Sequence, residues 1–483
     1  MSLKKTKEYT MRKLVCLIGL VFTAVLLHPG HMVGQSFASL SGEVRRFVSV
    51  DSPVFALTNV RVVDGTGASA RDAQTVIVVD GLIRDVGPTE KVSVPEGAEI
   101  LNLDGYTVIP GIIGMHDHTD YAGAKGRLTL GFSAPRIYLA SGVTTIRTTG
   151  SISPYIELNL KHAIDAGQIP GPRMHITGPR LSEGLGNYSP TSEEQARRIV
   201  RYWVEEGASW IKAHARISRA NLAAAIDEAH KQGIKFTGHL CSVTYDEAID
   251  MGIDNLEHGL FVSSDFVPNK EPDVCPRGQR ESLVNLDIDG PEVRALIQKA
   301  VKSGVAITST LAVIEQLTPG RPVEDRVLEI MSPEVRESFL EAHELVQNAS
   351  ATSPLGMVWK NVLAFEKAFA DAGGLLVAGV DPTGNGGAIP GFGDQRNFEL
   401  LIEAGFTPEK AIEIMTANGA KVLGEFDRVG SISPGKRADL VAIQGDPVSN
   451  PADIRNVRIV FKDGVGYHAA NLLDSVRESV GAR

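Results

Sequence analysis

The chain has 483 residues, of which 43% are hydrophobic and 22% charged, and its net charge is −10. That length exceeds the need of one barrel-sized domain and leaves room for a smaller second one. The acidic balance offers no electrostatic footing for nucleic acid, and three cysteines with no CxxC argue against a thiolate zinc site.

At the start, Lys4, Lys5, Lys7, Arg12 and Lys13 form a basic stretch. The apolar run Leu14 to Leu27 follows, then the small residues of Ser36-Phe37-Ala38. This is the pattern of a secretory signal over residues 1–36. The 14-residue run is short for a membrane span, although an uncleaved anchor stays open. The expectation is export to the periplasm or beyond, with no membrane contact once the signal is removed. Cys241 and Cys275 could pair in an exported protein or stay as two free thiols.

Residues 54–110 read as strands, with Asp80-Gly81 as a tight hairpin turn between two β-rich runs. Residues 425–470 repeat the style, with Asp463-Gly464 as the turn. The expectation is one β-sandwich domain built from both ends of the chain. Residues 111–424 alternate strand and helix, as a parallel (β/α)8 TIM barrel requires. Strands are expected to end near His118, Thr149, Gly178, His214, His239, His258, Thr310 and Asp381. Helices are expected over Thr191–Glu206, Ser218–Gln232 and Thr244–Met251, with Gly233 and Gly252 as stops. Two spacings, 262–295 and 316–370, are too long for ordinary connections and read as insertions, the second largely helical.

The chemistry lies at those strand ends, which a barrel presents on one shared face. His116 and His118 are two apart, so on a strand both imidazoles point the same way. His239 and His258 end apolar runs one strand–helix–strand step apart. Lys212 lies in an otherwise apolar strand, SWIKAHA. It is either paired with a carboxylate or held neutral, so that it can add CO2 and become a bridging carbamate. His214 faces the same side and competes as a ligand. Asp381 ends LLVAGVD before a loop with five glycines. It could cap that loop, or bind metal and take a proton from an attacking water. GxSxG, HExxH and the dinucleotide fingerprint are all absent.

The order HxH, Lys, His, His, Asp resembles the amidohydrolase superfamily in its dinuclear, carboxylated-lysine form. The phrases VIPGIIGMHDH, SGVTTIRTTG, DNLEHG, TPEKAIEIMTANGAKVLG and GSISPGKRADLVAI are similar to its imidazolonepropionase-like and Xaa-Pro or Xaa-Arg dipeptidase branch. The resemblance implies that His116, His118 and Asp381 hold one divalent metal, zinc by default. It implies that His239 and His258 hold a second and that carboxylated Lys212 bridges them. One departure is Gly114, where the family often has Asp. The implied reaction is metal-assisted hydrolysis of an amide bond in a small molecule, a dipeptide or N-acyl amino acid first, a cyclic amide or lactone as the alternative. Asp381 would be the catalytic base. A barrel that has kept the fold without catalysis is a third, remote reading. His214, Arg216, Tyr188 and Arg180 lie at or just past strand ends as candidate substrate contacts, or as plain loop residues; Arg suits a carboxylate by bidentate pairing. A homo-oligomer is left open.

Protein recovered from its native envelope fraction should begin near residues 36–38 by mass spectrometry; an intact Met1 or Met11 on cytoplasmic protein would end the export reading.

Overall fold

The computed structural model describes residues 37–482 apart from 124–125, 185–187, 350–352 and 384. The signal expected over 1–36 lies outside the described residues. No described helix is long and apolar enough to cross a membrane.

Eight parallel strands form the α/β middle of the chain. They are β1 Ile112–Asp117, β2 Val143–Thr148, β3 Arg173–His175 continued by Thr177–Leu181, β4 Trp210–Ala215, β5 Lys235–Leu240, β6 Asn255–Glu257, β7 Ala306–Ser309 and β8 Leu376–Ala378. Each strand ends within three residues of its expected position. They pair in two arcs, β1 through the first half of β3 and the second half of β3 through β8. Single backbone bonds join the arcs: Ser151 N donates to Gly178 O at 3.2 Å, and Asp381 N to His116 O at 2.8 Å. The arrangement is TIM-barrel-like, and its strands are buried on both faces, which explains their near-continuous apolar sequences.

The helices between them begin where capping residues predict. Ser192, Ser218 and Thr244 accept from the backbone N–H of Gln195, Asn221 and Glu247, which satisfies a donor each helix would otherwise leave open. Thr244 and Glu247 complete a capping box. Insertion 316–370 contains the helices Asp325–Ile330, Pro333–Gln347 and Pro354–Asp371. Insertion 262–295 is fastened by a disulfide between Cys241 and Cys275, which settles the open pairing question.

The β-rich ends do join, but as one continuous nine-stranded sheet where a two-layer sandwich was expected. Tyr106–Pro110 pairs with Leu440–Gln444, and Val48–Val50 with Val465–His468, so strands from both ends interleave. Both expected turns are two-residue turns of left-handed backbone, Asp80 and Gly81 at φ 48° and 76°, Asp463 and Gly464 at 52° and 84°. This is the geometry that matches strand twist. Phe55 and Phe461 lie on strands three steps apart, yet their rings stack at 5.0 Å. Flat neighbours would be roughly 14 Å apart at that spacing, so the sheet curls around its own apolar face. The expected joining of both chain ends in one β domain is present, while two separate sandwich layers are not seen among the described residues.

Sheet and barrel are bolted together by charge. Arg173 at the start of β3 donates to Asp439 (2.8 Å) and Asp463 (2.8 Å), Arg437 also pairs with Asp463, and Lys462 Nζ donates to Gly171 O at 3.0 Å. Removing one partner from such a buried set leaves the remaining charges uncompensated. Arg173→Met should therefore lower the unfolding free energy by about 3–5 kcal/mol, read from denaturant titration; a change below about 1 kcal/mol, the scale of a surface pair, would show that this contact does not hold the two parts together.

Candidate metal centre

The β1 strand delivers His116, and His118 follows one residue beyond its end. His116 Nδ1 lies 2.7 Å from Glu257 Oε2 on β6, which leaves Nε2 turned toward Asp381 Oδ1 at 3.7 Å and Lys212 Nζ at 3.3 Å. His118 Nε2 lies 3.5 Å from Asp381 Oδ1. His258 Nδ1 is 2.8 Å from Thr310 Oγ1 and 3.8 Å from Asp381 Oδ2. The rings of His116 and His258 are 4.5 Å apart, those of His239 and His258 4.6 Å, and those of His214 and His239 4.5 Å. All six expected ligand residues and His214 thus meet at one end of the strands.

Backbone strain helps to gather them. On a regular strand neighbouring side chains point to opposite faces, yet Glu257 and His258 both reach His116. His258 breaks the alternation by adopting φ 68°. Asp381 sits at φ 45°, where its amide closes onto His116 O while its carboxylate faces the imidazoles. Left-handed backbone is costly for non-glycine residues and persists where the surroundings impose it.

Burial sets the charge states. It pushes His116 down to about 4, and it lowers His118, His214, His239 and His258 as well, so the imidazoles are neutral and have lone pairs to give. Burial also pushes Lys212 down to about 7. Lys212 donates to Thr149 O at 3.1 Å and makes no ion pair among the described residues, contrary to the paired-lysine alternative. Burial alone would raise Asp381, but His116, His118 and His258 outweigh it and hold the carboxylate well below its usual range.

The donor set fits a metal ion. His116, His258 and Asp381 each offer a ligand atom within 4.8 Å of the others. Among the described residues His258 Nε2 and His118 Nδ1 are buried with no hydrogen-bond partner; such atoms are costly to leave unsatisfied, and a ligand role for His258 Nε2 removes that cost.

Sequence reasoning missed several residues. Glu257 accepts from Arg147 NH2 at 2.6 Å and from Thr237 Oγ1, and Arg147, His116 and Lys212 hold it ionised against the effect of burial. Its only signal was a carboxylate inside a buried strand directly before a ligand histidine. Thr310 orients His258. Asp120 Oδ1, also buried and unpartnered, lies 3.9 Å from His118 Nδ1 while its other oxygen holds Arg127 at 2.6 Å. Gly114 makes room for Asp117, because a Cβ there would lie 1.9 Å from Asp117 Oδ2.

Of the substrate candidates, Arg180 and His214 join the cluster. Tyr188 does not: its ring packs edge-on against Trp203 at 5.8 Å, on the helix side of the strands. Arg216 lies past the end of β4 and is exposed to solvent; its backbone carbonyl, not its guanidinium, makes the contacts, accepting from Glu183 N and Ser182 Oγ.

Residues 107–465 match the profile of the Amidohydrolase family. The chain is 23% identical over 421 residues to an enamidase of Eubacterium barkeri, covering 81% of this chain and 89% of that one. It is 23% identical over 398 residues to an imidazolonepropionase of Porphyromonas gingivalis, covering 80% and 86%. Among solved structures, a Xaa-Pro dipeptidase with methionine in its active site superposes with a TM-score of 0.66 at 19% identity, covering 86% of this chain and 100% of that one.

Carboxylates that orient a ligand histidine from behind typically matter 10–100-fold for metal affinity. Glu257→Gln should weaken metal binding by roughly that factor in a chelator competition; unchanged affinity would mean that Glu257 serves the fold alone.

Proposed function

This chain belongs to the amidohydrolase family and is a metal-dependent hydrolase of C–N bonds in small molecules; from that premise we propose that its substrates are dipeptides or N-acyl amino acids. The observation that carries the proposal is the buried set of neutral imidazoles closed around one carboxylate and one unpaired lysine. The likeness to a Xaa-Pro dipeptidase lends the fold, and the substrate reading adds to it.

His116, His118 and Asp381 would hold one divalent metal, His239 and His258 a second, with zinc the default for imidazole-rich sites. Lys212 would bridge them as a carbamate, formed when its neutral Nζ adds CO2 and releases a proton. Its burial without a carboxylate partner supports this, because a lysine salt bridge would keep the amine protonated. Bound metals supply Lewis acidity and bring the pKa of water towards ~7.

The chain's own groups then manage position and protons. Glu257, anchored by Arg147, fixes the tautomer and direction of His116, and Thr310 sets the direction of the His258 ring. Asp381 is ionised and placed between His116, His118 and His258, so a carboxylate oxygen can accept the proton of the attacking water and return it to the leaving nitrogen. His214 stands beside His239 as a substrate contact. Export is part of the same proposal, and the Cys241–Cys275 disulfide supports it, since such bonds persist in oxidising compartments.

Purified protein should contain about two divalent metals per chain and turn over members of a dipeptide and N-acyl-amino-acid library. In Asp381→Asn the amide oxygen can still coordinate but no longer accepts a proton, so kcat should fall about 10²–10⁴-fold while most of the metal remains. Near-normal kcat would remove Asp381 as the base. Metal-free wild-type protein, or no turnover across the library, would overturn the reading itself.

A further inference from the structure

Arg180 is aimed into the site by a defect in its strand. In the pairing of β3 with β4, Thr177 lies opposite Trp210 and Arg180 opposite Lys212, three residues set against two. Pro179, which has no N–H for the ladder, sits inside that irregularity. In a regular register the residue opposite Lys212 would be Pro179, and Arg180 would point outward to the helices. The extra residue restores Arg180 to the face that carries Lys212, a re-aiming that bulges commonly perform.

The surroundings keep it there. Arg180 Nε donates to Gly150 O at 3.0 Å. Gly150 (φ 80°) has no side chain, and a Cβ there would lie 2.7 Å from Arg180 Cγ and 2.8 Å from Lys212 Cδ. Those two side chains therefore occupy the space a larger residue would take. The Arg180 charge is close enough to depress His118, Lys212 and His214.

Other arginines near the strands have carboxylate partners, Arg147 with Glu257 and Arg127 with Asp120. Arg180 makes no ion pair among the described residues, and its side chain is only half-buried. The guanidinium thus has a single neutral hydrogen-bond partner among the described residues and stands beside Lys212, His118 and His214, with Asp120, Asp381 and Glu157 acting on it only from beyond ion-pair distance, which leaves its fork free for an incoming anion.

We propose that Arg180 is the receptor for a free carboxylate on the substrate. This rests on the hydrolase reading above and narrows it. In a dipeptide or an N-acyl amino acid the main-chain carboxylate lies on the amine side of the scissile bond. Arg180 therefore selects substrates whose leaving amine is an amino acid with its carboxylate free, and it disfavours C-terminal amides, neutral cyclic amides and lactones. The planar fork suits a carboxylate bidentately, and a lysine at the same place would keep the charge without the fork.

The test uses the metal-loaded enzyme with two matched pools, N-acetyl amino acids and their C-terminal amides, measured for binding by calorimetry and for turnover. Wild type should prefer the acids, and Arg180→Gln should lose about 10- to 100-fold of that preference. The loss should fall mainly on KM, because the contact is made in ground and transition states alike. Metal content should be unchanged, and Arg180→Lys should recover part of the preference. Equal wild-type affinity for acids and amides, or an Arg180→Gln protein that weakens both pools equally, would overturn the receptor. Absence of turnover with acid-selective binding intact would overturn the hydrolase reading and leave the receptor standing.

Discussion

The centre of this protein depends on one buried ion pair. Arg147 and Glu257 meet at 2.6 Å in the middle of the strands, and the other Glu257 oxygen holds His116. A carboxylate in such a place would take up a proton if it were unpaired; ionised, it is an acceptor only, and it can fix the proton of His116 on Nδ1. Everything further out inherits that decision. Nε2 of His116 faces Asp381 and Lys212, Asp381 closes the ring of strands through its amide on His116 O, and Arg147 reaches Asn255 and Met115 as well as Glu257. The same few residues therefore set the strand geometry and the chemistry.

Much of this was legible because the ligands come at strand ends. Barrel strands deliver their last residues to one face, so HDH, the lysine of WIKAHA, GH, EH and VD can be read as one cluster without knowing any distance. The unread part involves direction and backbone detail. Glu257 looked like one carboxylate among many until its burial and partners were visible. Arg180 could be placed near a strand end, but its aim depends on a bulge around Pro179 that no periodicity announces. Tyr188 fell at a similar position along the chain and points elsewhere, because the segment after β3 turns its ring toward Trp203. The terminal sheet was readable as hairpins through Asp80-Gly81 and Asp463-Gly464, whereas its continuity depends on pairing between Tyr106–Pro110 and Leu440–Gln444, over 300 residues apart.

Some of the irregular backbone lies where function is proposed. His258 and Asp381 occupy left-handed conformations, and β3 is broken and bulged beside Lys212. Away from the site, positive φ at non-glycine residues falls mainly in turns such as Asp80 and Asp463. The disulfide from Cys241, two residues after His239, adds a covalent anchor to the same rim. Regular strands and capped helices supply the rigid frame against which these departures can persist.

The interleaved sheet also fixes an order of events during synthesis. Ser49 and Gly466 are hydrogen-bonded across 417 residues, and Tyr106–Pro110, paired on one side with Val54–Val62, gains its second neighbour only when Leu440–Gln444 has been made. Until then the nascent chain carries an unpaired inner strand edge, the kind of edge that pairs with other chains. A ribosome that stops before residue 440 therefore releases a barrel sequence with an open apolar sheet, a product marked for aggregation or degradation. Completion of the last tenth of the polypeptide decides the fate of the first.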